Sequence, residues 1–114
     1  MIEITSRKED YAYIIVIEGD VDASSSIYLD KAITQAIEEN QKNILIDCSK
    51  LYYISSAGLG VFMSYIQDFE AKQINLVIFG LSEKVKNVFQ ILGLDQLLQI
   101  VDSEEKAKLA INDL

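Results

Sequence analysis

Two adjacent serines, Ser55 and Ser56, lie in the stretch LYYISSAGLG, at the junction between two apolar segments. Serine is preferred at the start of a helix, because its hydroxyl can accept a hydrogen bond from a free amide of the first turn. The same helix start can instead hold an anion, since backbone amides and the helix dipole favour negative charge there. The two serines alone leave both roles open, with capping the commoner one.

Gly58 and Gly60 follow within the first turn of the predicted helix, where each glycine costs about 1 kcal/mol relative to alanine. Two such costs in one turn require a physical reason. Either another chain packs closely against this turn, or an anion is accommodated there. A nucleotide triphosphate is excluded as that anion, because the lysine of a Walker loop is missing after the glycines.

Two carboxylates, Asp20 and Asp22, end the second predicted strand in the segment GDVDAS. Aspartate before a helix is ordinary turn and capping chemistry. If this strand is the neighbour of the strand before Ser56, however, Asp22 and Ser56 emerge from the same end of the sheet. Asp22 would then either orient the serine hydroxyl or resist a second negative charge placed on it.

The helix predicted after Ser56 is apolar on more than one face. Its core stripe consists of residues three and four apart, namely Leu59, Phe62, Ile66 and Phe69. Val61, Met63 and Tyr65 lie off this stripe. Any of them that is exposed beside Ser56 would belong to a partner-binding patch, since methionine is adaptable and tyrosine is amphipathic.

The composition argues against several classes of function. The 114 residues include no histidine, which removes the usual general base and the commonest metal ligand. The net charge is -8 and Arg7 is the only arginine, so nucleic acid phosphates would be repelled. The single cysteine, Cys48, excludes an internal disulfide and a cysteine-rich zinc site. We therefore expect neither an enzyme nor a metal or other cofactor.

The elements that must position these residues alternate between strand and helix. The patterns predict strands at IEITSRK, YAYIIVIEG, NILID, INLVIFG and LLQIV, and helices over residues 25–39, over residues 56–71, at SEKVKNVFQILG and at DSEEKAKLAINDL. The first two strands form a hairpin across EDYA, and the single helices that join later strands imply right-handed crossovers. The sequence predicts one α/β domain over residues 1–114, with a mixed, mostly parallel sheet of about five strands and about four helices.

No apolar run approaches the roughly 20 residues that cross a bilayer. The opening residues MIEITSRKED lack the charged-then-apolar order of a signal peptide. We therefore expect a cytoplasmic protein without membrane insertion.

Three segments, IEGDVDASSS, ILIDCSKLYYISSAGLGVF and VFQILGLDQLLQIVDSEEKAKLAI, resemble in their order and spacing a stand-alone STAS domain. This fold is shared by sulfate transporters and bacterial anti-sigma factor antagonists. The resemblance implies that the serine two residues before the Gly-Leu-Gly turn, Ser56, is phosphorylated by a partner that is both a serine kinase and an anti-sigma factor. Ser55 stands where a common family version has aspartate, which makes it the alternative acceptor, and Asp22 matches the acidic residue near the phosphorylated serine.

The resemblance further implies partner switching that regulates sigma-factor-dependent transcription. Unmodified protein would bind the kinase and displace its sigma factor, the phosphorylated protein would let go, and a metal-dependent serine phosphatase would reset it. The partner-binding residues implied are those around the helix start, namely Asp22, Ser55, Ser56, Gly58, Leu59, Gly60 and Met63.

Two other readings of the resemblance stay open. The chain is compatible with a STAS subunit of a lipid or solute transporter complex, and with a partner switch that controls a target other than a sigma factor. A homodimer is also possible, because an exposed apolar patch serves a second copy as readily as a kinase. An enzyme using Asp20, Asp22 and Ser56 is disfavoured, since no base or metal set accompanies them.

Overall fold

The chain begins with a hairpin in which a first strand, β1 (Ile2–Glu9), pairs antiparallel with β2 (Ala12–Val21). The structure is a computed structural model that describes residues 2–112. The hairpin turn includes Asp10 at a φ of 45°, a left-handed conformation that aspartate tolerates better than most residues. The predicted hairpin across EDYA is confirmed.

The described strands form one sheet in the spatial order β1-β2-β3-β4-β5, in which β2, β3, β4 and β5 are parallel to one another. The remaining elements are α1 (Ser26–Glu38), β3 (Asn43–Ile54), α2 (Ser56–Ser64), α3 (Ile66–Ala71), β4 (Asn75–Phe79), α4 (Glu83–Ile91), a short 3-10 helix (Leu94–Gln96), β5 (Gln99–Val101) and α5 (Glu104–Asn112). The predicted mixed, mostly parallel sheet of five strands is confirmed. Among the described residues, no helix is both long enough and apolar enough to cross a membrane.

Helices cover both faces of the sheet and create two buried cores. On one face α1, α2, α3 and α4 pack against the strands through side chains such as Ile33, Phe62 and Phe89. On the other face, within residues 2–112, the covering helix is α5, with Ala107 and Ile111 among the buried side chains. Covered faces explain why the central strands are almost wholly apolar in sequence.

The third strand is longer than predicted. The sequence pattern indicates a strand that ends near Asp47, whereas β3 extends to Ile54. Beyond Asp47 the strand continues beside β2, and the pairing shifts register twice between Val16 and Asp20. Such bulges interrupt the two-residue alternation of side chains. Ser49 and Lys50 are consequently exposed in succession, and the apolar pattern that predicts a strand is lost there.

The helix predicted over residues 56–71 is two helices, α2 and α3, separated by Tyr65. Ser64 Oγ donates a hydrogen bond to Val61 O at 2.7 Å. In a continuous helix this carbonyl would accept from the Tyr65 N–H. The Tyr65 backbone N–H donates instead to Phe62 O, three residues back, at 3.3 Å. Competition of this kind bends a helix, so the prediction of one continuous helix is wrong.

Candidate functional site

The start of α2 lies at the end of the sheet formed by the carboxyl ends of β2 and β3. Val21 pairs with Ile54 at the last register position of these strands, and the Ser55 backbone N–H donates to Val21 O at 2.8 Å. Asp22 therefore follows one strand end and Ser56 follows the neighbouring one. This is the juxtaposition that the sequence predicted on the condition that the two strands are neighbours.

Ser55 is the N-cap of α2. Its backbone is extended, with φ -84° and ψ 171°, and its Oγ accepts a hydrogen bond from the Gly58 N–H at 3.2 Å. The Ser55 carbonyl accepts the first helical hydrogen bond, from the Leu59 N–H at 3.0 Å. Both acceptor groups of Ser55 are thus used to begin the helix.

Ser56 is the first residue of α2, and its side chain is exposed. Within residues 2–112, no side-chain hydrogen bond holds the Ser56 hydroxyl. The first turn of α2 carries no acidic residue, so nothing there neutralises the positive end of the helix dipole. The arrangement offers a free hydroxyl at a position that electrostatically favours an added anion.

The two glycines of the first turn have different physical reasons. A Cβ on Gly58 would lie 2.7 Å from Ile54 Cγ1 and 2.8 Å from Val21 Cγ1, so only glycine lets α2 pack this closely on the strand ends. A Cβ on Gly60 would meet nothing within 4 Å. The close approach expected at the glycines is therefore made by this chain itself at Gly58, whereas Gly60 faces open space.

The predicted partner-binding residues divide between the interior and the surface. Gly58 is buried and Leu59 is only 2% exposed, because both lie on the side of α2 that packs against the core. They shape the helix start and offer no side-chain surface to a partner, which corrects their predicted role. Met63 is 50% exposed, and Gly60 is partly exposed. Met63 and Gly60 are thus the predicted residues of α2, besides Ser56, that a partner can reach.

Asp22 is exposed, but its carboxylate is held by the loop that leads into α1. Asp22 Oδ1 accepts hydrogen bonds from the Ser25 N–H at 2.8 Å, from Ser25 Oγ at 2.8 Å and from Ser24 Oγ at 2.9 Å. The bond from the Ser25 hydroxyl contributes most to lowering the pKa of Asp22 to about 2. Asp22 therefore stays negatively charged, and its hydrogen bonds hold the loop before α1 in place. No hydrogen bond joins it to Ser56 among the described residues.

Several exposed apolar side chains come from the elements that meet at this end of the sheet, where β2 and β3 finish. Tyr52 and Tyr53, close to the end of β3, are 62% and 49% exposed. Ile27 and Tyr28 are exposed in the first turn of α1. Sequence reasoning missed these four residues, although two adjacent tyrosines three residues before a helix start are a usable signal for an interaction surface.

Tyr65 is not part of the exposed patch, although the sequence left that open. Its hydroxyl contacts Asp30 Oδ1 and Thr34 Oγ1 of α1, each at 2.5 Å. Burial is the main cause that raises the pKa of Tyr65, and the hydrogen bond with Asp30 adds to it. Tyr65 thus ties the junction of α2 and α3 to α1, and Met63 is the exposed member of the predicted set.

The remaining chemistry within residues 2–112 is limited. No cluster of three or more acidic or sulfur-bearing side chains in this part of the chain could hold a metal ion. Cys48 is fully buried, and desolvation raises the pKa of its thiol, which keeps it protonated and unreactive. The helix start presents an exposed serine hydroxyl beside a partly apolar exposed surface.

Known proteins are similar to this chain over nearly its whole length, including the three segments that resemble a STAS domain. A family model described as the STAS domain matches residues 3–107. The anti-sigma-B factor antagonist of Listeria monocytogenes is 34% identical over 107 residues, which cover 90% of each protein.

Solved structures match the whole sheet and its helices. An anti-sigma factor antagonist from Mycobacterium paratuberculosis superposes with a TM-score of 0.90 at 16% identity, over 98% of this chain and 95% of that one. The Bacillus cell fate determinant SpoIIAA in its phosphorylated form gives a TM-score of 0.72 at 20% identity, over 96% and 99%. These identities show a shared fold, and the family model shows the membership. The chain belongs to the STAS domain family.

Proposed function

We propose that this protein is an anti-sigma factor antagonist that is switched by phosphorylation of Ser56, and that it acts by binding a partner rather than by catalysis. The observation that carries the proposal is the different use of the two serines. Ser55 caps α2 with its hydroxyl, whereas Ser56 presents an exposed hydroxyl in the first turn. A kinase can reach Ser56 while the helix stays formed, but modification of Ser55 would remove the cap.

The free protein is expected to tolerate a phosphate on Ser56. Phosphorylation adds about −1.5 to −2 charges at pH 7. The first turn of α2 contains no acidic residue to repel that charge. Interaction with the helix dipole stabilises an anion there by about 0.3 to 1 kcal/mol. The folded state should therefore change little in stability when Ser56 is modified.

A bound partner is expected to tolerate the same phosphate poorly. Tyr52 and Tyr53 are exposed just before the helix start, and Met63 is exposed in the last turn of α2, seven residues after Ser56 and on the same helix face. These side chains are apolar or amphipathic and suit a partly dry interface. Desolvating a phosphate against such a surface costs several kcal/mol, and each 1.4 kcal/mol is tenfold in affinity. Phosphorylation should weaken the complex far more than it affects the fold, as a switch requires.

The partner we propose is a serine-kinase anti-sigma factor, with a serine phosphatase that reverses the modification. The Listeria monocytogenes relative is named an anti-sigma-B factor antagonist, and SpoIIAA has been solved in a phosphorylated form. The name of the Listeria relative supports antagonism of an anti-sigma factor as the activity of this chain, and the phosphorylated form of SpoIIAA supports phosphorylation as its control. Unmodified protein would hold the kinase away from its sigma factor, and the phosphorylated protein would release it.

Ser55 in place of the family's aspartate is compatible with this mechanism. Aspartate and serine are both strong N-cap residues, so Ser55 can perform the capping part of the aspartate's role. Ser55 also removes one negative charge from beside the proposed phosphate. Its partial burial and its bond to the Gly58 N–H argue against Ser55 as the acceptor.

The experiment that tests the acceptor is phosphorylation by the proposed serine-kinase anti-sigma factor, sought among the neighbouring genes, with ATP, followed by location of the phosphate by mass spectrometry. Wild type, Ser56→Ala and Ser55→Ala are compared, with Ser24→Ala as a control at another exposed serine. We expect phosphate on Ser56 in every protein except Ser56→Ala. Undiminished phosphorylation of Ser56→Ala would contradict the assignment.

A further inference from the structure

The first strand leaves one edge of the sheet open. β1 pairs with β2 on one side, and within residues 2–112 no strand pairs with its other side. At eight residues it is much longer than the opposite edge strand, β5, which has three. A long free edge presents unpaired backbone groups that can pair with another strand.

A groove runs beside this open edge, on the face of the sheet that carries α1. It has a volume of about 560 Å³ and is lined by Ile2, Ile4, Tyr28 and Ala32, among others. Ile2 and Ile4 are only partly buried against the core. A strand added beside β1 would cover these side chains, so the apolar surface at the edge agrees with an occupant.

The side chains of β1 alternate between the two faces of the sheet. Ile4 pairs with Ile17 and lies on the α1 face, as Ile2 does. On the α5 face, Arg7 and Glu9 lie near Glu104 and Lys108 of α5. Even-numbered residues of β1 therefore face α1, and odd-numbered residues face α5. A second strand must match this alternation for its side chains to share the same faces.

We propose that β1 pairs antiparallel with β1 of a second copy of this chain, with Thr5 on the two-fold axis. In this register Glu3 lies opposite Arg7 of the second copy, and symmetry makes the same pair twice. Both residues are on the α5 face and are exposed. In this register the charges of β1 are therefore complementary to those of β1 in a second copy.

Neighbouring registers that respect the alternation are less favourable. Centring the pair on Ser6 places Glu3 opposite Glu9, and centring it on Arg7 places two arginines together. Centring it on Ile4 leaves Glu3 opposite Thr5, without a charge pair. Opposite charges facing each other stabilise a strand pair and like charges destabilise it. The sequence of β1 thus selects the register centred on Thr5.

The net charge of -8 on each copy opposes this association, so the dimer is expected to be weak and to form at high protein concentration. At about 0.15 M salt the Debye length of about 8 Å screens most of the distant repulsion, while directly opposed pairs are affected less.

The proposed dimer is independent of the switch at Ser56. It uses the side edge of β1, whereas Ser56 follows the end of β3.

A disulfide test reports the register directly. In the proposed dimer Thr5→Cys brings two thiols together across the two-fold axis, within the separation that a disulfide needs. Lys8→Cys is the matched control, because the two Lys8 positions are offset by six residues along the strands. The native Cys48 is buried and does not compete. We expect mild oxidation to give a covalent dimer with Thr5→Cys and not with Lys8→Cys. No dimer with Thr5→Cys, or equal dimer with both, would overturn the register.

A charge swap tests the pairing in solution by sedimentation at protein concentrations up to the millimolar range. Glu3→Arg should weaken the dimer by about tenfold, since it opposes two pairs of arginines. Glu3→Arg combined with Arg7→Glu should restore it. Glu38→Arg, at the exposed end of α1, makes the same charge change and should leave the dimer intact. A monomeric wild type, or a dimer indifferent to Glu3→Arg, would refute the proposal.

Arg7 also contacts Glu9 and Glu104 within the chain, so Arg7→Glu can lower stability for reasons unrelated to dimerisation. Thermal unfolding of each variant separates the two effects. Glu3→Arg carries the proposal on its own, because no ion pair of Glu3 is present among the described residues. A double variant that is folded but stays monomeric would contradict the Glu3–Arg7 pairing.

Discussion

The Ser55 hydroxyl accepts a hydrogen bond from the backbone N–H of Gly58 at 3.2 Å, and this contact separates the roles of two adjacent serines. The capping bond holds the Ser55 hydroxyl against the first turn of α2, and this residue is only partly exposed. Ser56, one position later, is exposed in the first turn and faces the positive end of the helix dipole. A structural serine and a candidate regulatory serine thus occupy consecutive positions.

Replacing Ser55 with alanine should lower the free energy of unfolding by about 1 kcal/mol, because the Gly58 N–H loses its acceptor. Ser55→Asp should retain most of the stability, since aspartate is an equally good cap. Ser56→Ala is the control and should change the stability by less than about 0.5 kcal/mol. Urea unfolding followed by circular dichroism measures all three. Equal losses for the two alanine variants would show that Ser55 is not the cap.

The two glycines of α2 should respond in opposite ways to alanine. Gly58→Ala forces a Cβ to within 2.7 Å of Ile54 and should cost about 1 to 3 kcal/mol through overpacking. Gly60→Ala meets no atom within 4 Å and should gain up to about 1 kcal/mol from helix propensity. Thermal unfolding measures the difference. A stable Gly58→Ala protein would mean that the helix is not packed on the strand ends as described.

The low pKa of Asp22 predicts a specific pH dependence of stability. Its folded pKa of about 2 lies below its ordinary value of 3.8, because hydrogen bonds from Ser25 and Ser24 favour the charged form. The contribution of Asp22 is therefore present above its unfolded pKa and is lost as the pH falls toward about 2. Unfolding curves of wild type and Asp22→Asn should converge between pH 4 and pH 2, since the variant has no charge to lose. Parallel curves over this range would contradict the loop contacts.

The exposed apolar residues just before α2 and along its exposed face should matter for binding and not for folding. Tyr52→Ala and Met63→Ala should each weaken binding to the proposed kinase partner by about tenfold, as truncation of exposed tyrosine and methionine anchors in an interface commonly does. Leu109→Ala is the control, because Leu109 is 56% exposed on α5, which covers the opposite face of the sheet. Calorimetric titration compares the three. An effect of Leu109→Ala as large as that of Tyr52→Ala would move the interface elsewhere.

Much of the fold was predictable because its elements are strongly periodic. Leu29, Ile33 and Ala36 lie on one buried face of α1, as the spacing of apolar residues indicates. The far half of β3 was not predictable, because the bulges opposite Val16 and Asp20 remove the alternation that marks a strand. The break at Tyr65 depends on hydrogen bonds of Ser64 and Phe62 that no periodic pattern contains.

The candidate site was predictable in position but not in detail. The sequence located Ser55, Ser56 and Asp22 at one end of the sheet, because strands that precede helices end together. The residue pattern alone did not distinguish the two serines, since each is a good N-cap, and only the resemblance to the STAS family favoured Ser56. That distinction follows from the Ser55 N–H bond to Val21 O, which sets where the helix begins. Nor did it separate the buried Leu59 from the exposed Met63, which depends on how α2 lies against the core.

The proposed switch is tested most directly by the affinity of the kinase anti-sigma factor for this protein before and after phosphorylation of Ser56. Titration of the same partner with both forms, each checked by circular dichroism and mass spectrometry, gives the ratio. We expect the phosphorylated form to remain folded and to bind at least about tenfold more weakly, because the phosphate must be desolvated at the interface. Equal affinities for a fully phosphorylated, folded protein would contradict the switch at Ser56.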